Sequence, residues 1–520
     1  MEVFATTPSV FLLLTITLIA VLLIKLFAAI YKQLTYWKHN NVPYIESVPI
    51  IGPAWKFFLR RISFFEYADH LYNLYPNAKY IGMMDFTLPS LMVRDPELIR
   101  EITVKSFEHF TDHRSFFDKD VEPLFAKNVF SLQGDQWREM RTILSPSFTA
   151  SKMRLMFELT SKCSQEFVTY LHDHPEYCSS LDVKVDFTRY TNDVIASVAF
   201  GVNVNSMEDR ENDFYMKGKK IFSSLFGSMA KMLALRFCPR LLKVLGITMV
   251  PHDVTNFFRK VISENVQTRY EKKIVRPDML HLLMQARDKE TSANHQMTVD
   301  DIVSQAFIFF LAGFDSTANL MCYMAYELAL HPDVQEKIRK EVDRCLEEGN
   351  GQISYDSLTK MEYMDMVIAE TLRKYPSMIF NDRVCTQKFQ LPPAEPGYSA
   401  AILYPGDNVW IPVHSLHHDP KYFPGPEKFD PERFSEENKS KIVPYTYIPF
   451  GVGPRKCIGD RFALMETKVL MAHLLQRLVV KRTEKTQVPL QFNRDSFAPT
   501  PFGGVWLDEG LWVGLERRKL

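Results

Sequence analysis

Val10 to Tyr31 is a run of 22 residues interrupted by one charge, Lys25. No other feature limits the chain's architecture as much. A helix of that length rises about 33 Å, and an apolar bilayer core is about 30 Å thick. The few residues upstream cannot cover such a helix, which argues against a buried core element. A cleaved secretory leader is the alternative. It is disfavoured because the stretch is long and no basic segment precedes it. Glu2 comes before the run, whereas Lys25, Lys32 and Lys38 fall in its second half or after it. The positive-inside rule then places the rest of the chain in the cytosol. Residues 1–31 therefore read as a transmembrane anchor. Residues 32–53, with Pro43, Pro49 and Pro53, read as a proline-rich semi-rigid hinge. Residues 54–520 read as the body.

Composition narrows what the body can be. Across 520 residues, 62 Lys and Arg balance 62 Asp and Glu, which argues against a strongly basic nucleic-acid binder and against an acidic tail protein. With 46% apolar and 24% charged residues, disorder and collagen-like structure are excluded. The 39 Phe and 23 Met fit either a rich core or a large adaptable apolar pocket, and the counts do not choose. The seven cysteines are odd in number, widely spaced and without a CxxC pair, as expected in a reducing compartment.

The local patterns predict a mainly α fold with small β-sheets (α+β). Lys79 to Val93 reads as a hairpin or small sheet. Pro96 to Glu370 is mostly helical, with interruptions at Pro146, Pro175, Pro239 and Pro277. Leu391 to Pro412 returns to short strands, Phe434 to Gly453 reads as loop, and Arg461 to Leu478 as an amphipathic helix. Phe214 to Val250 mixes seven basic residues with many Phe, Leu and Met. It fits a stretch lying on a membrane surface or a solvated helical pair, and both readings stand.

Phe450-Gly451-Val452-Gly453-Pro454-Arg455-Lys456-Cys457-Ile458-Gly459 carries the most chemistry. Its glycines permit unusual dihedrals and close backbone approach. Cys457 directly precedes a helical pattern, where backbone N–H groups stabilise a thiolate. A thiolate metal ligand and a merely packed thiol both fit, and Arg455 could pair with an anionic group of a cofactor. Glu370-Thr371-Leu372-Arg373 puts a carboxylate and a guanidinium on one helical face. Tyr375-Pro376 and Pro431-Glu432-Arg433-Phe434 follow. In this order and spacing, the motifs resemble those of the cytochrome P450 family along nearly the whole chain after the anchor.

That resemblance implies the P450 fold and a haem b whose axial ligand is the Cys457 thiolate, with Phe450 and Arg455 in the cofactor loop. Thiolate ligation pushes electron density onto the iron. The resemblance also implies a structural ion cluster of Glu370, Arg373 and Arg433. Trp137 and Arg141 match a Trp-x-x-x-Arg motif that binds a haem propionate, as do Arg383 and Arg114 at further positions. Ala312-Gly313-Phe314-Asp315-Ser316-Thr317 interrupts a long apolar helix over Phe307 to Leu330. Polar groups there are costly unless paired or hydrated, and a local kink is expected. The family reading is a catalytic group of Asp315, Ser316 and Thr317 that relays protons beside the haem. Thr usually follows the acid, whereas here Ser316 does, so which hydroxyl faces oxygen stays open.

The same resemblance places substrate contacts in His109–Phe130, 214–250, Phe307–Thr317, Ser377–Phe380 and Ser496–Pro501. Phe116, Phe117, Phe125, Phe307, Phe314, Ile379, Phe380 and Phe497 make these stretches apolar, which implies a lipophilic substrate. The motifs look like those of microsomal animal clan 3 enzymes, nearest insect family 9. The implied function is a membrane-anchored monooxygenase for foreign lipophiles such as plant toxins or insecticides. It would consume O2 and NADPH-derived electrons at the endoplasmic reticulum. A dedicated hydroxylase of a sterol, terpenoid or fatty acid is the alternative, ahead of a peroxide isomerase or a non-catalytic haem sensor. NADPH–cytochrome P450 reductase is the implied partner, with cytochrome b5 as a second donor and no nucleic acid. Arg138, Lys439, Lys441 and Lys456 are expected to form a basic docking patch.

Overall fold

The structure is a computed structural model that describes residues 7–49, 51–115, 121–226, 229–276, 278–289, 297–492 and 510–519. The apolar N-terminal run forms one helix, Thr7–His39, with its apolar side chains exposed over most of its length. It is long and apolar enough to cross a bilayer. The helix passes the expected end at Tyr31 because its last turns are held by the body. Trp37 is 3% exposed, and its indole N–H donates to the Met83 carbonyl at 2.8 Å. Gln33 donates to the Phe86 carbonyl at 2.6 Å. A Cβ on Gly82 would lie 2.5 Å from the Trp37 ring, so the close packing of helix on sheet requires glycine there. Past the helix, the chain pairs with the same residue: the Ile45 N–H donates to the Gly82 carbonyl and the Gly82 N–H to the Pro43 carbonyl. The expected hinge is thus tied along part of its length to the first sheet.

That sheet has four strands in the order β1 (Tyr80–Asp85), β2 (Leu88–Val93), β7 (Asn408–Ile411), β4 (Asn381–Val384). The β1–β2 pair is the expected antiparallel hairpin, and β2 runs parallel to β7. β5 (Phe389–Pro393) pairs with β6 (Ala400–Leu403), which fulfils the strand reading of Leu391 to Pro412. A third sheet joins β3 (Leu181–Asp182), β9 (Trp512–Arg517) and β8 (Leu478–Lys481).

Helices make up the rest of the body, packed around Val299–Leu330. Thr298 caps that helix, its hydroxyl accepting the Asp301 N–H while the Asp301 carboxylate accepts the Thr298 N–H. Two sides are covered by the helices Val183–Ile195 and His252–Lys272. Pro175 and Pro239 start short helices, where the missing N–H costs nothing. Pro277 lies outside the described residues.

Much of the phenylalanine excess is core. Phe125, Phe307, Phe258, Phe310, Phe314 and Phe222 form a continuous chain of ring contacts with centroids 4.7–5.7 Å apart. Such edge and offset pairs add to the burial energy of each ring.

Candidate active site

The cysteine loop turns on two glycines in the left-handed region, Gly451 at φ +72° and Gly453 at φ +74°. A Cβ on Gly453 would lie 2.0 Å from the Thr103 carbonyl oxygen, so no other residue fits there. The Cys457 N–H donates to the Phe450 carbonyl at 2.9 Å and closes the loop. The helix Asp460–Arg477 starts directly afterwards. Cys457 lies deep in the protein, and its side chain is nonetheless accessible. Its depth pushes the thiol pKa up, while the Gly459 N–H, Arg141 and Lys456 pull it down. All seven cysteines are free.

Polar donors without acceptors gather near this loop. Arg141 stands within electrostatic reach of Cys457 and Asp460, and burial lowers its pKa. It makes no hydrogen bond or ion pair among the described residues, and neither does the indole N–H of Trp137, four residues earlier on the helix Gly134–Leu144. Arg383 on β4 is fully buried and donates to the Asp382 and Val452 carbonyls, but its Nε has no acceptor. Burial brings its pKa down to about 10, against the pull of Asp382. Buried unpaired donors are costly, and an anionic group placed among them removes that cost.

Arg455 is satisfied by protein. It donates to the Thr111 carbonyl at 2.7 Å, the Leu132 carbonyl at 2.9 Å and Asp112 at 3.3 Å. Its guanidinium also lies 3.9 Å from the Trp137 ring centroid. Burial lowers its pKa to about 9 despite Asp112. Arg114 pairs with Asp85 on β1, and its backbone N–H donates to Asp382 at 2.6 Å.

Behind the loop, the Glu370–Arg373 pair is fully buried on the helix Glu362–Lys374. Arg373 meets both carboxylate oxygens of Glu370, at 2.7 and 2.9 Å, and also donates to the His417 and Pro426 carbonyls. Arg433 lies 3.4 Å from Glu370 and donates to the Pro424 and Gly425 carbonyls. His417 accepts the Ile448 N–H on Nε2 at 2.9 Å, so its Nδ1 carries the proton and donates to the Arg373 carbonyl. The ion cluster thereby reaches the segment that leads into the cysteine loop.

The helix Val299–Leu330 is buried along most of its middle, except at Ala312, which is exposed, and at Gly313 and Ser316, which are half-buried. The Ser316 hydroxyl donates to the Ala312 carbonyl at 2.6 Å. Thr317 is buried. Asp315 is buried too and takes the Lys184 ammonium on one oxygen at 2.5 Å and the Asn319 amide on the other at 2.9 Å. Lys184 also donates to Asn319 at 2.5 Å, which closes a three-membered polar network. Thr191 donates to the Phe314 carbonyl at 2.7 Å. The helix stays α-helical throughout.

The family model for cytochrome P450 matches residues 45–505. The chain belongs to the cytochrome P450 family. It is 43% identical to cytochrome P450 9e2 of Blattella germanica over 516 residues, covering 93% of this chain and 95% of that protein. It is 39% identical to a probable cytochrome P450 9f2 of Drosophila melanogaster, covering 91% and 94%. It is 36% identical to cytochrome P450 6j1 of Blattella germanica, covering 95% and 97%. This P450 is therefore a monooxygenase of the oxidoreductase class. Its family carries a haem held by a cysteine thiolate and uses O2 with NAD(P)H-derived electrons.

Several residues of this P450 escape sequence reasoning. Asn319 stands one turn beyond Asp315 and was findable from that spacing. Lys184, Thr191 and His417 come from distant segments and carry no local signal. The expected basic patch is largely paired with acids: Arg138 with Glu108, Lys439 with Glu436, and Lys456 with Asp460. Of the expected substrate contacts, Phe380 packs on Phe64 and Trp410, in the cluster against the first sheet. Phe116, Phe117 and Phe497 lie outside the described residues.

Proposed function

We propose that this P450 oxidises lipophilic foreign compounds, with its haem held by Cys457. The observation that carries the assignment is the accessible thiol of Cys457 deep in the fold, with Arg141, which lacks an acceptor among the described residues, within electrostatic reach of it. Arg141, Trp137 and Arg383 would hold the carboxylates of the haem, and their unused N–H groups fit that task. Arg114 and Arg455 already have protein partners and would shape the surrounding wall. Haem supplies oxygen activation and one-electron chemistry when bound.

The chain's own residues supply position and protons. Ala312 and Ser316 open the long helix toward the reacting space, and Ser316, the residue directly after Asp315, holds its proton against the Ala312 carbonyl one turn back. Asp315 delivers protons by leaving its contact with Lys184, and Asn319 holds the carboxylate's second oxygen meanwhile. Substrate selection rests on burial of apolar surface, which discriminates modestly and suits a broad range of compounds.

The proposed setting is the endoplasmic reticulum membrane, crossed once by Thr7–His39, with the body on the cytosolic side. The Phe86 ring at the β1–β2 turn meets Phe237, while its carbonyl accepts from Gln33 of the anchor helix. Leu241, Val244, Leu245 and Ile247 lie exposed just beyond Phe237. This apolar group beside the anchor supports membrane contact by the 214–250 region. NADPH–cytochrome P450 reductase, assisted by cytochrome b5, would supply electrons.

NADPH consumption with product detection tests the proposal, using the full chain reconstituted with reductase and a panel of lipophiles. Turnover of many unrelated compounds is the expected result. Turnover of one endogenous sterol, terpenoid or fatty acid alone would replace it with a dedicated hydroxylase.

A further inference from the structure

Asp112 joins β4, the helix Gly134–Leu144 and the cysteine loop. Its carbonyl accepts the Val384 N–H at 2.8 Å, which makes a β-bridge to the strand that carries Arg383. Its Oδ1 accepts the Gly134 N–H at 2.8 Å, at the start of the helix that carries Trp137 and Arg141. Gln133 supplies no side-chain cap to that helix, so the Asp112 carboxylate satisfies its first N–H from another segment. The same Oδ1 lies 3.3 Å from Nη2 of Arg455, two residues before Cys457. The Thr111 carbonyl holds Nε of the same arginine at 2.7 Å. Arg455 in turn lies over the Trp137 ring.

The pair is also an isolated piece of charge balance. Arg455 is 8% exposed and Asp112 9%. Among the described residues, Asp112 is the one carboxylate paired with Arg455. The other charged groups nearby do not replace it. Asp382 accepts from His113 and from the Arg114 N–H, and Arg114 itself pairs with Asp85. Arg383 adds a second positive charge. Burial lowers the Arg455 pKa to about 9, Asp112 opposes that most, and the Arg383 charge adds to it. A guanidinium left in this interior without its carboxylate acts over a longer range, because little water screens it.

We infer that Asp112 is a positioning residue for the haem: it sets the Trp137 helix and β4 against the cysteine loop and, by offsetting the Arg455 charge, holds the iron's reduction potential down. An uncompensated positive charge beside the cofactor favours the ferrous over the ferric state. Outer groups of this kind tune a metal centre without touching it. The role rests on Cys457 holding a haem, and that reading fails separately, as a wild type without a thiolate-ligated spectrum.

The test is a mediated redox titration of the full-length holoenzyme, without reductase or substrate, followed by haem absorbance. Asp112→Asn keeps an acceptor for the Gly134 N–H and removes the charge. At the wild-type midpoint potential, its ferrous-to-ferric ratio is expected to rise at least threefold. The double variant Asp112→Asn, Arg455→Gln removes both charges and is expected to return within twofold of the wild type. An unmoved ratio in Asp112→Asn would overturn the inference, and so would a double variant shifted as far as the single one. If Asp112→Asn does not retain haem, Arg455→Gln becomes the background. Adding Asp112→Asn to it is expected to raise the ratio at least threefold, and no rise would overturn the inference equally. Asp112→Ala also strips the Gly134 N–H of its acceptor, so it is expected to unfold at a lower temperature than Asp112→Asn. Equal midpoints would contradict the hold on the Trp137 helix.

Discussion

Ser316 and Thr317 are neighbours with opposite surroundings. Ser316 is half-buried beside the exposed Ala312, whereas Thr317 is buried. Ser316→Ala is therefore expected to divert electrons from product to peroxide, measured as product formed per NADPH, while Thr317→Val leaves that ratio within twofold. The reverse ranking would assign the relay to Thr317. Asp315→Asn is expected to slow product formation at least tenfold, in the range usual for loss of a proton-transfer group. Unchanged coupling would remove Asp315 from proton delivery. The acid and both hydroxyls were legible in the sequence because they interrupt an apolar helix. The partner Lys184 was not, because it lies 131 residues away on another helix and no spacing rule links the two. Choosing between the hydroxyls likewise needed the helix's packing, which periodicity does not reveal.

At the scale of elements, the cysteine loop is held from behind. The buried Glu370–Arg373 pair reaches the short helix Val413–His417, and His417 fixes the Ile448 N–H just upstream of the loop. Burial first, then the Arg373 charge, lowers the His417 pKa to about 3. An unfolded histidine titrates near 6.5. Between those values the unfolded chain binds the extra proton, so stability is complete above about pH 6.5 and falls as pH drops toward 3. Denaturant titrations across that window are expected to lose up to about 1.4 kcal/mol per pH unit from this group. His417→Gln is expected to remove about one proton from the linkage, and an unchanged slope would show that His417 is not buried neutral. The Glu-x-x-Arg pair was readable from its helical spacing, and the loop from its glycines. The His417 link was not, because it depends on how two loops pack rather than on any motif.

For the whole molecule, the anchor and the body are not separate modules. The apolar N-terminal helix has Gln33 and Trp37 of its last turns seated on the first sheet. Removing residues 2–31 is expected to leave the thermal midpoint of the body unchanged. Trp37→Ala is expected to cost about 3 kcal/mol, the usual loss for a buried large aromatic. A midpoint unaffected by Trp37→Ala would contradict that seating. Hydropathy located the apolar helix, but its docked end was hidden because Trp37 alone gives no sign of the sheet it meets. The expected basic docking face also reads differently in three dimensions, since Glu436 and Asp460 pair with Lys439 and Lys456 within a turn of each and Glu108 reaches Arg138 from another segment.

All of these scales converge on Cys457. The most direct measurement is the reduced-carbon-monoxide difference spectrum of the purified full-length protein beside that of Cys457→Ala. The wild type is expected to give the thiolate-ligated band and the variant to lose it. A thiolate band that persists in Cys457→Ala would contradict the account at its centre.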